Sequence, residues 1–190
     1  RVRMIHGRVR GVDETGVPYS ADDPDLLTWV HVSEMSSFLA GYRAYGPMTV
    51  PAHVADAYLA ETRRVAEALG ARDVPGSVAD MDAYISKVLP SLVFGERSRV
   101  VLEVLGQLDL PVPMAALSRD LFLHAGAALL PDWAASMLQR SDSDLRKARL
   151  ARGTLRGMAP LFRLALTEGI DVRSCRRMGV DPGLLSHWPS

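Results

Sequence analysis

The stretch 22–47, DDPDLLTWVHVSEMSSFLAGYRAYGP, decides the fold class. Asp22, Asp23 and Asp25 put negative charge where the positive end of a helix dipole would lie, and Pro24 suits the first turn, where its missing N–H costs nothing. From there Leu27, His31, Met35, Phe38 and Tyr42 recur at intervals of three and four, so they share one stripe of a helix. Gly46 and Pro47 stop that helix after Tyr45. A long helix with one apolar stripe has to bury it against other helices.

Toward the C-terminus the pattern repeats. Residues 49–70 read as a third helix, opened by Thr49-Val50-Pro51 and closed by Gly70, with Val54, Tyr58, Val65 and Leu69 at helical spacing. After a loop at 73–76, Ser77 caps a fourth candidate at 78–89, and 97–105 is a fifth. Pro111 and Pro113 precede an apolar segment, 114–130, whose Ala, Leu, Gly and Phe content suits a buried helix. Arg119 and Asp120 interrupt it, and it is too short to span a bilayer. A short amphipathic helix follows at 131–139. Residues 143–166 carry Arg146, Lys147, Arg149, Arg152 and Arg156 ahead of Pro160, a run that reads as a solvated face. Residues 180–190 read as a loosely held tail. Strand signals are nearly absent, so the class is all-α: a single multi-helix domain over 1–190, orthogonal or bundle-like.

Toward the N-terminus, residues 1–11 (RVRMIHGRVRG) read as a first helix ending near Gly11. Val2, Ile5, His6 and Val9 fall on one face, and Arg1, Arg3, Arg8 and Arg10 project elsewhere. His6 therefore points inward, where its ring nitrogens need partners, because an unpaired buried polar group costs about 1–3 kcal/mol. A hydrogen bond or an iron ion would serve. Residues 12–19 (VDETGVPY), punctuated by Gly16 and Pro18, form a turn or hairpin-like connector. The chain opens on Arg in mid-helix, as the larger C-terminal part of a longer polypeptide would.

Lys and Arg number 22, against 22 Asp and Glu, so no global field draws the chain to nucleic acid. Its one cysteine, Cys175, excludes an internal disulfide and any Cys-rich zinc or iron–sulfur centre built from this chain alone, and fits a cytoplasmic compartment. No run of 18 apolar residues encodes a transmembrane helix.

Four further histidines compete with His6 for chemistry. His31 shares its stripe with Leu27 and Met35 and reads as buried, either as a core histidine bonded to a carbonyl or to Glu34, or as the polar contact of an apolar cofactor pocket. His31 and Glu34 form a His-x-x-Glu pair, the reverse of the order that di-iron bundles repeat, and no second copy exists. His53 falls in a first turn and reads as exposed; His124 sits in an apolar segment and reads as buried; His187 lies in the tail. Glycine-rich nucleotide loops, a Gly-x-Ser-x-Gly elbow, His-Glu-x-x-His and Cys-x-x-Cys-His are all missing.

The first seventy residues carry a more specific signal. Val2-Arg3-x-x-His6-x-x-Val9-Arg10-Gly11, then Tyr19-Ser20-Ala21-Asp22-Asp23-Pro24-Asp25-Leu26-Leu27-x-Trp29-Val30-His31, then Tyr42-x-x-Tyr45-Gly46-Pro47 resemble the oxygenase family of latex clearing protein (rubber oxygenase) and the fungal mycophenolic-acid-pathway oxygenase. Pro51, Val54, Tyr58, Glu61, Ala66, Leu69 and Gly70 continue the likeness; beyond residue 70 the agreement is only in being helical.

The resemblance implies a globin-like all-α domain that holds a haem b through one histidine, with O2 on the other face of the iron and a C=C bond of a hydrophobic, isoprenoid-like small-molecule substrate as its target. Carried onto this chain, it makes His6 the axial iron ligand and puts His31 beside the haem in a catalytic role. Arg3 or Arg10 would meet a haem propionate, since a guanidinium matches a carboxylate in a bidentate fork. The family's preceding segment, with an Arg and a Thr near the distal face, has no counterpart in these residues. A homo-oligomer is compatible with all of this. The principal rival is a non-catalytic helical ligand-binding or dimerisation module in which His6 and His31 are core polar residues. A third reading is a helical metal protein using His31 and Glu34.

Overall fold

In a computed structural model the described residues are 1–108, 115–165 and 168–188. Among them the chain runs α1 (Val2–His6), β1 (Arg10–Val12), β2 (Pro18–Ser20), α2 (Pro24–Tyr45), α3 (Ala52–Leu69), α4 (Val78–Val88), α5 (Glu96–Gln107), α6 (Ala115–Ala127), α7 (Asp132–Met137), α8 (Asp142–Ala165) and α9 (Ile170–Met178). The architecture is all-α, with a single two-stranded hairpin among the described residues. No helix among them is long and apolar enough to cross a membrane. The expected break at Pro111 and Pro113, and the outer ends of the expected segments at Met114, Leu166 and Ser190, lie outside the described residues.

The local chemistry explains most boundaries. The Asp23 carboxylate accepts from the backbone N–H groups of Asp25 (2.8 Å) and Leu26 (3.2 Å), so the acidic run caps α2 as its sequence demands. Ser77 caps α4 in the same way, accepting from the Asp80 N–H at 3.1 Å. Gly70, at φ 115°, ends α3 in the left-handed conformation that a side chain would resist.

Packing then orders the helices. Leu27 of α2 meets Ala66 of α3 and, beyond it, Ala71 and Val74. One turn further, Val32 and Met35 pack on Leu59 of α3 and Met81 of α4. Each large side chain so buried contributes about 1.5–3 kcal/mol. A separate cluster joins Ala125 of α6 to Ala151 and Leu155 of α8, with Tyr45 packed against it. The Tyr45 hydroxyl donates to the Ala125 carbonyl (3.2 Å), and Arg163 donates back to the Tyr45 carbonyl (2.8 Å), which ties the end of α2 to the α6–α8 pair.

The structure corrects several expectations. The first helix does not reach Gly11: it stops at His6, and Arg10–Val12 forms a strand paired antiparallel with Pro18–Ser20, Gly11 facing Tyr19. A Cβ at Gly11 would stand 2.7 Å from the Tyr19 ring, so glycine there leaves room for that side chain to lie across the strand. The Asp13 carboxylate, accepting from the N–H groups of Thr15 (2.8 Å) and Val17 (2.9 Å), closes the turn. Val9 consequently leaves the His6 face and lies exposed.

Phe38 is also off the buried stripe of α2, 58% exposed, because the packing surface narrows to Leu27, Val32, Met35 and Leu39. Helix α6 is not a buried helix: it packs on α8 through small residues such as Ala125, leaving Leu117 and Phe122 in the open. The basic run on α8 is solvated, as its charge predicts. Helix α9 was not anticipated. Nor is the tail loose: the Trp188 indole N–H donates to the Thr49 carbonyl (2.7 Å), and its ring packs against Tyr42 at a centroid distance of 5.5 Å.

Candidate functional site

His6 and His31, separated by the whole hairpin in sequence, line one cleft of about 350 Å³ between α1, α2 and α3. One wall is the α2 face carrying Leu27, Val30, His31 and Glu34; the opposite wall is the α3 face carrying Thr62, Val65, Ala66 and Leu69. Both sets follow three- and four-residue spacing, so each wall is a single helix face. The Thr62 hydroxyl already donates to the Tyr58 carbonyl (2.8 Å), which leaves the α3 wall apolar in character.

His6 reaches the cleft from the last residue of α1. The Gly7 N–H turns back to the Arg3 carbonyl (3.1 Å), the Val9 N–H to the His6 carbonyl (3.1 Å), and the Ala21 N–H to the Val9 carbonyl (2.9 Å), so the hairpin holds the end of α1 in place. The His6 ring is half-buried, and its Nδ1 is shut off from water with no hydrogen-bond partner among the described residues. A satisfied core histidine would have one. Asp22 lies nearby, its carboxyl held below the usual range chiefly by the Ser20 hydroxyl, with help from Arg10 and His6.

His31 is half-buried rather than buried. Loss of hydration pushes its pKa below 6.5, and the charge of Glu34 acts against that shift without cancelling it. The imidazole is therefore predominantly neutral near pH 7, with one nitrogen free to accept and the other to donate. Glu34 itself is exposed at the rim, close enough to Tyr58 to reinforce the upward shift that burial gives that phenol.

The other candidates fall elsewhere. Arg3 on α1 and Arg10 on β1 are exposed, and neither lines the cleft; the Arg10 guanidinium makes only a long contact, 3.5 Å, to the Gly7 carbonyl. His53 is exposed, as its position in the first turn of α3 suggested. His124 is half-buried at a different cleft with Arg140 and Asp144, and His187 is exposed beside Ser186. Cys175 is a half-buried free thiol on α9. No group of three His, Cys, Asp or Glu converges as a metal site among the described residues, so His31 and Glu34 do not recruit a third protein donor there.

Two wall residues escaped the reading of the sequence. Thr62 and Ala66 belong to the same face as Val65 and Leu69, and extending that face by one turn in each direction would have found them.

Residues 1–164 match the family described as ER-bound oxygenase mpaB/B'/Rubber oxygenase, catalytic domain. Neither a curated protein nor a solved structure matches the chain. The match spans α1, α2 and α3, and with them both histidines of the cleft; the chain belongs to the mpaB and rubber oxygenase catalytic-domain family.

Proposed function

We propose that the protein is a haem b-dependent oxygenase that uses O2 to oxidise or cleave a C=C bond of a hydrophobic, isoprenoid-like small molecule, with His6 as the axial iron ligand. The observation that carries the reading is the His6 ring: half-buried in an apolar cleft, with a nitrogen that neither water nor a hydrogen bond satisfies. The donor set fits a haem. A porphyrin brings four nitrogens and asks the protein for one imidazole, whereas a bare metal ion asks for three or more protein donors, which do not converge here. The globin-like arrangement of helices belongs to the same proposal.

Haem, when bound, supplies the redox-active iron for dioxygen chemistry. The chain's residues supply the rest. His6 would hold the iron through a ring nitrogen, and a hydrogen bond to its other nitrogen would tune the basicity of that ligand. His31, held neutral by its partial burial, can give or take one hydrogen bond inside the cleft, the polar contact that positions a reacting group among apolar walls. Val30, Val65 and Leu69 give the cleft apolar walls, which favour a hydrocarbon substrate. Arg3 and Arg10, exposed on α1 and β1 and without a carboxylate at ion-pair distance among the described residues, are the guanidinia that would meet the propionates.

The test is the visible spectrum of protein expressed with haem precursor, with a pyridine haemochrome assay, for wild type, His6→Ala and His31→Ala. The expected result is a near-stoichiometric Soret band that is lost or shifted in His6→Ala and kept in His31→Ala. A colourless wild-type protein that stays folded after haem reconstitution overturns the proposal and leaves the helical ligand-binding module as the account of the cleft.

A further inference from the structure

Helix α2 has a second cleft on the face turned away from the histidines. Trp29, Ser33, Ser36, Ser37 and Ala40 recur there at helical spacing, opposite Leu27, Val30, His31 and Glu34. This cleft, about 740 Å³, is larger than the histidine cleft and lies within the range of small-molecule sites. Its far wall comes from α4 and the α6–α7 connection, with Ile85, Leu129 and Trp133. The Trp29 and Trp133 rings stand at a centroid distance of 6.5 Å, tilted by 51°. The three serine hydroxyls donate to carbonyls of their own helix, Val30 and Ser33, so they present a wall that makes no demand on a ligand.

Beyond Arg43 lies a second cleft, about 460 Å³, whose charged side chains are all arginines: Arg43, Arg156 and Arg163. Arg43 lines both. None of the three has a carboxylate within ion-pair distance among the described residues, where ion pairs occur only at Arg63, Arg99, Arg119 and Arg176. Arg163 is anchored by its bond to the Tyr45 carbonyl (2.8 Å), while Arg43 and Arg156, both exposed, line the same cleft. Three cations facing a common space with no counter-charge attract an oxyanion, and guanidinia grip carboxylate or phosphate through paired N–H groups. The single carboxylate of the larger cleft, Asp82, is on the α4 wall and turns an anionic head away from that side.

We propose that the two clefts form one binding site for a free single-chain anionic amphiphile. Its apolar chain lies between Trp29 and Trp133, and its carboxylate or phosphate head rests against Arg43, Arg156 and Arg163. The site is separate from the histidine cleft and does not depend on haem.

Two of the three tryptophans of the chain line the apolar half, so binding is visible as intrinsic fluorescence; the third, Trp188, bonds to Thr49 of the arginine cleft, and Trp188→Phe separates its signal from theirs. Dodecanoate and dodecyl phosphate, each below its micelle concentration, are titrated against dodecanol and dodecyltrimethylammonium. Both anions should produce a saturable change with an affinity about tenfold or more above that of dodecanol. Arg43→Gln with Arg156→Gln should bring the anions to the level of dodecanol while leaving dodecanol unchanged. In the protein without arginine substitutions, added salt should weaken the binding of dodecanoate and leave that of dodecanol unchanged, which probes the same charge contact without a variant. Equal affinity for all head groups, anion binding that survives the double substitution, or sedimentation with phosphatidylserine vesicles without monomer binding would each overturn the proposal.

Discussion

Thr28, next to Leu27 on α2, is a buried polar side chain, 2% exposed. Its hydroxyl lies 2.9 Å from the Pro24 carbonyl and 2.8 Å from the Arg72 carbonyl, and it accepts from the Arg72 N–H at 3.3 Å. It thereby staples the first turn of α2 to the backbone that leaves α3, the two helices whose faces form the cleft. Thr28→Val keeps the shape and deletes the hydroxyl. Both polar groups of the Arg72 backbone then lose their partner, at about 1–3 kcal/mol for each group that stays dry. The added methyl returns roughly 0.8 kcal/mol of apolar burial. The net expectation is a loss of about 2 kcal/mol, with Thr28→Ser, which keeps the hydroxyl, losing less than half as much. For a chain of this length that corresponds to a fall in Tm of roughly 4–8 °C. Urea unfolding followed by circular dichroism reads the loss as a lower midpoint at unchanged m value. A Thr28→Val protein within about 0.5 kcal/mol of wild type, or one more stable than Thr28→Ser, would refute the reasoning that this hydroxyl is a staple.

Three other expectations follow from the same geometry. His31 should titrate below 6.5 in proton NMR, and Glu34→Gln should lower it further; a value at or above 6.5 contradicts the burial argument. Because its folded pKa is depressed, the unfolded chain binds the proton first. The His31 contribution to stability is therefore complete above about pH 6.5 and is lost as pH falls through the folded pKa, measured by urea titration against His31→Gln. Gly11→Ala should cost about 1–2 kcal/mol by crowding Tyr19, and a second substitution, Tyr19→Ala, should remove most of that cost in a double-mutant cycle. Trp188→Ala should cost roughly 1.5–2.5 kcal/mol, from one hydrogen bond and one aromatic pair, and should speed amide exchange at 182–186 without changing exchange in α3.

The long helices were legible because their signals are local. Asp23 and Ser77 are caps that need only the next turn, and Gly46 and Gly70 end α2 and α3 where their residue type says they should. The hairpin was legible in its turn, where Gly16 and Pro18 mark the connector, but not in its first strand, since Val2, Ile5, His6 and Val9 satisfy helical periodicity and what defeats it is pairing with residues 18–20, a contact no periodicity encodes. Helix α9 escaped because its nine residues, IDVRSCRRM, are few and mostly polar, so the apolar face they do share is only a turn or two long; Gly179, at φ 68°, marks its end and was the available clue. At the site, the inward turn of His6 and the α2 face of His31 were readable singly. That they share a cleft was not, because it depends on how the hairpin folds α1 back across α2.

The residues that enclose the histidine cleft all fall between positions 6 and 69, whereas the bonds that lash the rest of the chain to this region span far greater separations: 80 residues from Tyr45 to Ala125, 118 from Arg163 to Tyr45 and 139 from Trp188 to Thr49. Folding order follows from that difference. At a synthesis rate of about 5–20 residues per second, several seconds pass between the appearance of α3 and that of the last helix. Helices and hairpins form in about a microsecond to ten microseconds. Every element that lines the cleft is thus synthesised before α6 and α8, and none of the lining residues belongs to either helix.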